Sequence, residues 1–206
     1  MNGASVQPYK MSFAVGGLLL NESVEVARLH KPSESWDATL RLALDGGVTS
    51  LPKTASRRRT LREIVNRIST LDQEELDYLV LAADRSDQQA LLWLATCRAY
   101  RFVREFATEV IHERFISFQF DLPLESFDVL FAAKAEWDEG LAGISPTTRA
   151  KLRQVLFRMM REANVITDDN RILSAYVSPR LKAMLAERSP RDLAVFPGLS
   201  RDGGTL

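Results

Sequence analysis

Residues 90–106 read ALLWLATCRAYRFVREF, and this stretch decides the fold class. At about 100° per residue, its apolar side chains point in almost every direction around a helix. A helix that is apolar on one side packs on a surface, whereas a helix that is apolar all round lies inside the protein. We therefore predict a buried central helix within a long helical segment from about Asp87 to Ser117, with the remaining helices packed around it.

Charged residues inside the central segment require partners, because a buried unpaired charge is costly. Arg101 and Glu105 are four residues apart, a spacing at which helical side chains meet, so we predict a structural ion pair there. Cys97, the single cysteine of the chain, lies in the most apolar part of the segment. Its surroundings favour the role of a small buried hydrophobe over that of a catalytic thiol.

Helical periodicity continues through most of the 206 residues. The helix-start signals are Asp72 with Glu75, Ser145-Pro146 and Ser178-Pro179, which combine N-cap side chains with favourable residues in the first turn. Asn164 is predicted to end its helix in the left-handed conformation. The predicted helices cover about 17–29, 34–44, 56–69, 72–83, 125–141, 146–163 and 179–187.

These elements predict an all-α fold, a compact helical bundle formed by one domain over residues 1–206. Two subdomains, 9–117 and 125–198, could be distinguished within it. Short β-favouring runs on either side of Asp168-Asp169-Asn170 indicate one small hairpin near 165–174. The tail 199–206 contains two adjacent glycines and is predicted to be flexible.

Charge is segregated along the chain although its total is zero. Residues 53–67 contain six cations and one acid, and residues 149–161 contain five cations and no acid. These two windows carry a net charge of +10, so the rest of the chain carries −10, gathered at 72–87 and 121–139. A neutral total therefore does not exclude a polyanionic partner, because the distribution of charge decides local binding.

Both basic windows lie on amphipathic helices whose cations fall away from the apolar stripe. We predict that Arg59, Arg62 and Arg67 face away from the stripe of the 57–68 helix. On the 146–163 helix, the cations are predicted to occupy the flanks and the opposite side, without local acidic partners. The apolar stripes are Leu61, Ile64, Val65 and Ile68 in the first helix, and Leu152, Val155, Leu156, Met159 and Ala163 in the second.

Unrelieved repulsion on these helices indicates an anionic ligand. Arg58 with Arg62, and Arg149 with Arg153, are like-charge pairs at i,i+4, a spacing that costs a few tenths of a kcal/mol. Arginine outnumbers lysine nine to two in the two windows, which favours bidentate phosphate contacts. The candidate nucleic-acid-binding residues are Arg57, Arg58, Arg59, Arg62, Arg67, Arg149, Lys151, Arg153, Arg158 and Arg161.

The sequence also allows other binding partners for these basic surfaces. The acidic segments at 72–87 and 121–139 could neutralise the basic helices inside the protein or across an oligomer. A protein partner could supply the acids, and an anionic membrane surface is a third alternative. Segment 125–163 is also compatible with a helix-turn-helix that carries a small wing, although many helix pairs share this pattern.

Catalytic and metal-binding patterns are absent from the sequence. His30 and His112 are 82 positions apart and no Cys/His cluster exists, so neither a metal site nor a cofactor is expected. The chain has no GxSxG or HExxH motif, and Val15-Gly16-Gly17 is too short a pattern to predict a phosphate cradle. A signal peptide and an apolar run of bilayer-spanning length are also missing. We therefore expect a cytoplasmic protein that makes no membrane contact and is not an enzyme.

Six longer stretches follow one another in an order that is more specific than any single motif. They are MSFAVGGLLLNESVEVA, SRRRTLREIVNRI, ALLWLATCRAYRFVREFATEV, TTRAKLRQVLFRMMREANVI, SPRLKAML and VFPG. Together they resemble the family of small A-type accessory proteins (BrxA) of bacterial BREX phage-exclusion systems, over about residues 9–198. The family commonly has Ser-Thr-Arg at the start of the second basic helix, where this chain has Thr147-Thr148-Arg149.

The resemblance implies a non-enzymatic helical protein, related in fold to the NusB antitermination protein, that binds DNA within a DNA-modifying antiphage complex. It implies no catalytic residues. Taken with the charge pattern, it predicts duplex DNA as the partner, with other BREX components as further partners. The alternative is an adaptor that binds those components through the same helices and does not contact DNA.

Overall fold

The central helix is buried, as its sequence predicts, in the computed structural model, which describes residues 8–51 and 56–199. Helix α5 spans Arg85–Ala99 and begins where Asp84 accepts a hydrogen bond from the Asp87 amide at 2.9 Å. Trp93 is fully buried and donates its indole N–H to the Val195 carbonyl at 3.0 Å. Cys97 is also fully buried, in agreement with its predicted role as a small apolar side chain.

The prediction of one continuous helix from Asp87 to Ser117 is wrong, because the chain bends at Tyr100. Tyr100 has extended backbone angles (φ −130°, ψ 103°) that end α5. Its ring is fully buried and its hydroxyl donates to Glu63 at 2.6 Å, so tertiary packing overrides the local preference for helix. Beyond the bend lie α6 (Arg101–Glu105), a π-helical stretch (Phe106–His112) and α7 (Glu113–Ile116).

The helices before α5 in the chain pack on one side of it. They are α1 (Leu20–Leu29), α2 (Trp36–Leu42) with a π-helical continuation (Ala43–Gly47), α3 (Arg57–Ile68) and α4 (Gln73–Leu81). Helix α3 packs against both α1 and α5. The capping box predicted at the start of α4 is present, with the Glu75 amide donating to Asp72 at 3.0 Å and the Asp72 amide donating to Glu75 at 2.9 Å.

The helices after α7 are α8 (Glu125–Ala135), α9 (Glu139–Ala142), α10 (Pro146–Glu162) and α11 (Pro179–Arg188), followed by a 3₁₀ segment (Pro190–Val195). The predicted helix 125–141 is therefore interrupted: Asp138 is extended and caps α9 by accepting from the Leu141 amide at 2.8 Å. Ser145 caps α10 and Ser178 caps α11, each followed by proline in the first turn, as predicted.

Three arginines of the central segment, Arg98, Arg101 and Arg104, are paired with acids. Arg98 donates to both Glu75 oxygens at 2.6 and 2.7 Å and to Asp192 at 2.9 Å, which ties α5 to α4 and to the 3₁₀ segment. The predicted pair of Arg101 and Glu105 is also present, at 2.6 Å. These contacts confirm the structural reading of the charges in the central segment.

The all-α class is confirmed. The hairpin expected near 165–174 is reduced to a tight turn with one isolated antiparallel bridge, Ile166 to Ile172, and Asn164 has the predicted left-handed conformation (φ 54°). Of the predicted flexible tail 199–206, only Leu199 lies within the described residues, and it is buried. The single-domain organisation and its two subdomains stay predictions. The described helices include none that is both long and apolar enough to cross a bilayer.

Candidate nucleic-acid interface

The first arginine of α3 is not available to a ligand. Arg57 is buried and donates to the carbonyls of Ala43 at 3.1 Å, Val48 at 2.8 Å and Leu51. Its guanidinium therefore satisfies backbone carbonyls of the chain that enters α3, so Arg57 is buried where the predicted role in nucleic-acid binding requires an exposed side chain. Three carbonyls can be satisfied by one arginine because its planar fork carries five N–H donors.

The last arginine of α3 is also buried, contrary to the prediction that it faces away from the apolar stripe. Arg67 pairs with Glu63 at 2.6 Å, and its side chain is 3% exposed. It also donates to the carbonyls of Gly17 at 2.8 Å and Val15 at 3.4 Å. Arg67 therefore fastens the segment before α1 to α3, and a burial of this depth removes it from the candidate interface.

Three arginines of α3 remain exposed: Arg58, Arg59 and Arg62, here called the α3 cluster. At about 100° per residue they lie within one arc of about 100° around the helix. Within residues 8–51 and 56–199, no carboxylate lies within 4.0 Å of any of them. The only acid of α3, Glu63, is on the buried side and is held by Arg67 and Tyr100.

A cleft of about 490 Å³ beside the α3 cluster adds a cation that the sequence reasoning missed. Arg59 and Arg62 line it together with Lys10, which hydrogen-bonds to Asn66 and lies 5.7 Å from the Tyr100 ring centre. Lys10 is 49 positions before Arg59 and belongs to neither basic window, so no local pattern could associate them. Burial and the charge of Glu63 raise the pKa of Tyr100, which keeps its hydroxyl protonated.

Two arginines of α10 share one acidic partner within the protein. Asp128 of α8 pairs with Arg149 at 2.6 Å and with Arg153. Burial alone would raise the pKa of Asp128, but hydrogen bonds from the two arginines lower it below its usual value. The prediction that these cations lack acidic partners is therefore wrong. The alternative of internal neutralisation by the 121–139 acids holds in part, because Asp128 cancels one of the two positive charges. A recognition helix would present such side chains outward, whereas these two turn back to α8.

The other three cations of α10 differ from one another. Lys151 is exposed and has no carboxylate within 4.0 Å among the described residues. Arg158 is 63% exposed and pairs with Glu162 at 2.7 Å. Arg161 is half-buried and donates to the side chain of Asn170 at 2.8 Å. Lys151 and Arg158 lie within about 20° of each other around the helix, so they define its outward basic face.

A second cleft, of about 320 Å³, lies at the end of α10. Arg85 and Arg158 line it, and Glu162 accepts a hydrogen bond from the Leu18 amide at 2.5 Å. A Cβ atom at Gly17 would lie 2.1 Å from Glu162 Oε2, so glycine is required for this approach. Gly17 therefore admits the Glu162 carboxylate near the start of α1.

The two clefts are neighbours along the chain. Val15 lines the cleft beside the α3 cluster, and Gly17 lines the cleft at the end of α10. Two residues span at most about 7 Å, so these lining residues are close together. Arg67 binds the carbonyl groups of both residues, and it thereby holds the segment between the clefts in place.

The fold and the charges thus define a helical protein with a cationic cleft. The residues described include no group of His, Cys, Asp and Glu side chains that could hold a metal ion. The BrxA family model matches residues 7–189 of the chain. The curated "BREX protein BrxA" of Escherichia coli O9:H4 (strain HS) is 26% identical over 146 residues, which cover 70% of this chain and 67% of that protein. The chain belongs to the BrxA family.

A solved structure shares the fold. The crystal structure of an uncharacterized protein from Magnetospirillum magneticum superposes with a TM-score of 0.77 at 21% sequence identity. The match covers 92% of this chain and 98% of that one. The relation to the NusB antitermination protein stays a prediction.

Proposed function

We propose that this chain is a non-enzymatic component of a BREX defence system that binds duplex DNA through the α3 cluster and Lys10. The observation that carries the proposal is the exposure of Arg58, Arg59 and Arg62 on one arc of α3 without an acid in reach. Arginine at such a site can contact phosphate with two N–H groups at once. The curated relative named "BREX protein BrxA" supports the assignment to the defence system. We expect this chain to bind its DNA partner in the cytoplasm.

The cleft beside the α3 cluster suits a phosphate backbone better than a small anion. Its cations come from two separate parts of the chain, Lys10 and α3, and its polar lining includes Ser12 and Asn66. Lys151 and Arg158 could extend contact along the backbone across the neighbouring cleft. Contacts of this kind position a duplex without reading its sequence, so we expect little sequence preference.

The test is a fluorescence anisotropy titration of a generic DNA duplex at several salt concentrations. If Lys10, the α3 cluster and Lys151 each neutralise one phosphate, the five contacts predict a log–log salt slope of about −4.5. Raising salt from 50 to 200 mM should then weaken binding on the order of 500-fold. No binding at 50 mM salt would overturn the proposal and favour the adaptor that does not contact DNA.

Single-stranded DNA and duplex RNA of equal length serve as competitors in the same titration. Equal competition by single strands would remove duplex DNA as the preferred partner while leaving phosphate binding intact. Turnover of DNA or of a nucleotide by the purified protein, abolished by a single carboxylate substitution, would contradict the proposed lack of catalysis.

A further inference from the structure

A groove beside α8 is apolar with an acidic rim, in contrast to the cationic cleft beside the α3 cluster. It has a volume of about 530 Å³ and lies between α8 and the π-helical stretch with α7. Helix α8 contributes Ser126, Val129, Leu130 and Ala133, which follow the i, i+3, i+4, i+7 spacing of one helical face. This face runs over two turns, about 10 Å along the axis.

Large apolar side chains are left in solvent at this groove. Val129, in its lining, is 70% exposed. Phe118 is 81% exposed and stands between Ser117 and Gln119, which both line the groove. Leu124 is 41% exposed at the start of α8. Apolar surface of this kind, grouped and rimmed by polar residues, is typical of a protein–protein contact.

Phe118 occupies a position where glycine is usual. The amides of Phe118 and Gln119 donate to the Phe115 and Arg114 carbonyls at 3.0 and 2.8 Å, so the chain after α7 closes in a Schellman motif. Phe118 is left-handed (φ 57°), a conformation that is unfavourable for a bulky residue. Asn164, at the same position after α10, is a residue that tolerates this conformation. The Phe118 ring is exposed in this conformation, and its one neighbouring ring among the residues described is Phe120, at 6.3 Å between ring centres.

The rim of the groove is acidic. Glu113 and Glu125 are exposed, and no cation lies within 4.0 Å of either among the residues the structure describes. Glu109 is already paired with Lys134 at 2.8 Å. The single cation of the lining, Arg114, donates to the Asp121 carbonyl at 2.9 Å. A ligand in the groove would meet apolar contacts in the middle and negative charge at the edge.

The groove and the paired arginines of α10 lie on different faces of α8. Asp128, which binds Arg149 and Arg153, is about 150° around the helix from the centre of the groove face. An occupant of the groove would therefore not compete with α10 for the same surface. Nucleic acid is disfavoured in the groove because its phosphates would face Glu113 and Glu125.

We propose that this groove binds a basic amphipathic helix of a partner protein. Apolar residues at i, i+3, i+4 and i+7 of that helix would insert between Val129 and the π-helical stretch, and its lysines or arginines would meet Glu113 and Glu125. This is the helix-in-groove mode of recognition. It is independent of the proposed DNA contact, so one protein would bind DNA on one surface and a protein partner on another.

A second copy of this chain is a poor occupant. Its two basic helices, α3 and α10, already bury their apolar stripes in their own core: Leu61, Ile64, Ile68, Leu152, Leu156 and Met159 are fully buried. They could offer charge to the groove but no apolar anchors. The occupant must therefore be a helix whose apolar face is free before binding.

The probe is a fluorescein-labelled 18-residue peptide with leucines at helical i, i+3, i+4, i+7 spacing and lysines elsewhere, titrated with the full chain. A peptide of the same composition in scrambled order is the control ligand. Val129→Asp should weaken binding of the patterned peptide at least about tenfold, as expected for a central anchor. Leu81→Asp, at a residue that is 80% exposed on α4, is the matched control and should change binding less than about twofold.

Charge is tested by Glu113→Lys with Glu125→Lys, matched by Glu136→Lys with Glu139→Lys at exposed acids outside the groove lining. Only the first pair should weaken peptide binding and flatten its salt dependence. Equal binding of the scrambled peptide, or no saturable binding, would overturn the proposal. Loss of self-association in Val129→Asp by sedimentation velocity would also overturn it, because the occupant would then be a second copy. DNA affinity, measured in parallel, should be the same for Val129→Asp and Leu81→Asp, and the two charge-reversal pairs should change it equally.

Discussion

Helices α3 and α10 carry similar numbers of cations, yet these cations differ in exposure and in their acidic partners. The α3 cluster is exposed and free of acids in the described structure, whereas Arg149 and Arg153 of α10 are paired with Asp128. The difference comes from the neighbours. The acid nearest the α3 cluster in sequence, Glu63, points into the core and is used by Arg67. Helix α10 packs beside α8, which presents an acid toward it.

A count of the charges along a helix therefore does not measure how strongly that helix attracts an anionic ligand. Asp128 cancels one of the two positive charges of Arg149 and Arg153, and the charge that remains is screened beyond a Debye length of about 8 Å. Three unpaired guanidinium groups on one arc keep their full attraction for phosphate. We therefore expect the two basic helices to make unequal contributions to DNA binding. Five experiments test the roles of the charged residues on the two helices, from the largest expected effect to the smallest.

Arg67→Leu tests whether the buried arginine of α3 is structural. The substitution removes the partner of Glu63 at a site where both side chains are less than 8% exposed, and leaves the Gly17 carbonyl without its donor. Breaking a buried pair from one side costs about 3–5 kcal/mol. Urea denaturation followed by circular dichroism should show this loss of unfolding free energy. An unchanged midpoint would return Arg67 to the candidate interface.

Arg59→Glu with Arg62→Glu tests the α3 cluster itself. Loss of two phosphate contacts should weaken duplex binding on the order of 50-fold near 0.1 M salt and reduce the magnitude of the salt slope by about 1.8. The matched control is Arg180→Glu with Arg191→Glu, exposed arginines outside both clefts. The two double variants change the net charge equally, so equal losses of affinity would show a general charge effect and not a site.

Asp128→Asn tests whether the negative charge of Asp128 prevents α10 from contributing to DNA binding. The amide releases Arg149 and Arg153 from their charged partner. If the duplex reaches this face, affinity should rise about fivefold, because freed cations add to phosphate attraction. Unchanged affinity, with the α3 variant still defective, would confine the interface to α3.

The same residue gives a pH dependence with a defined sign. The folded-state pKa of Asp128 is lowered from its usual value of 3.8. The stability contributed by the pair is therefore fully present above the unfolded pKa and is lost as pH falls below about 4 toward the folded pKa. Wild type should lose stability faster than Asp128→Asn in this acid range, which thermal denaturation at pH 3 and pH 6 can measure.

Glu162→Gln is expected to have the smallest effect. Glutamine keeps an oxygen that can accept from the Leu18 amide, but it releases Arg158 from its ion pair. One freed, exposed cation beside the second cleft should raise DNA affinity about twofold to threefold. A decrease in affinity would indicate that Glu162 positions Arg158 for the ligand. The melting temperature serves as the control for an altered fold.

Prediction from sequence succeeded where the cause is local. The capping box at Asp72 and Glu75 and the left-handed Asn164 depend on residues within a few positions of each other. It failed where a distant group intervenes. Tyr100 breaks the predicted long helix because its hydroxyl binds Glu63, 37 positions away. Arg57 and Arg67 leave the predicted interface because backbone carbonyls of other segments bind them.

The sequence by itself determined the all-α class and the buried central helix, since these follow from periodicity and caps. Only the tertiary structure decided which cations stay free. Asp128 lies 21 positions before Arg149, and Lys10 lies far before the α3 cluster that it joins. An electrostatic surface depends on distances of a few ångströms between side chains, and the packing of helices sets those distances after the helices themselves have formed.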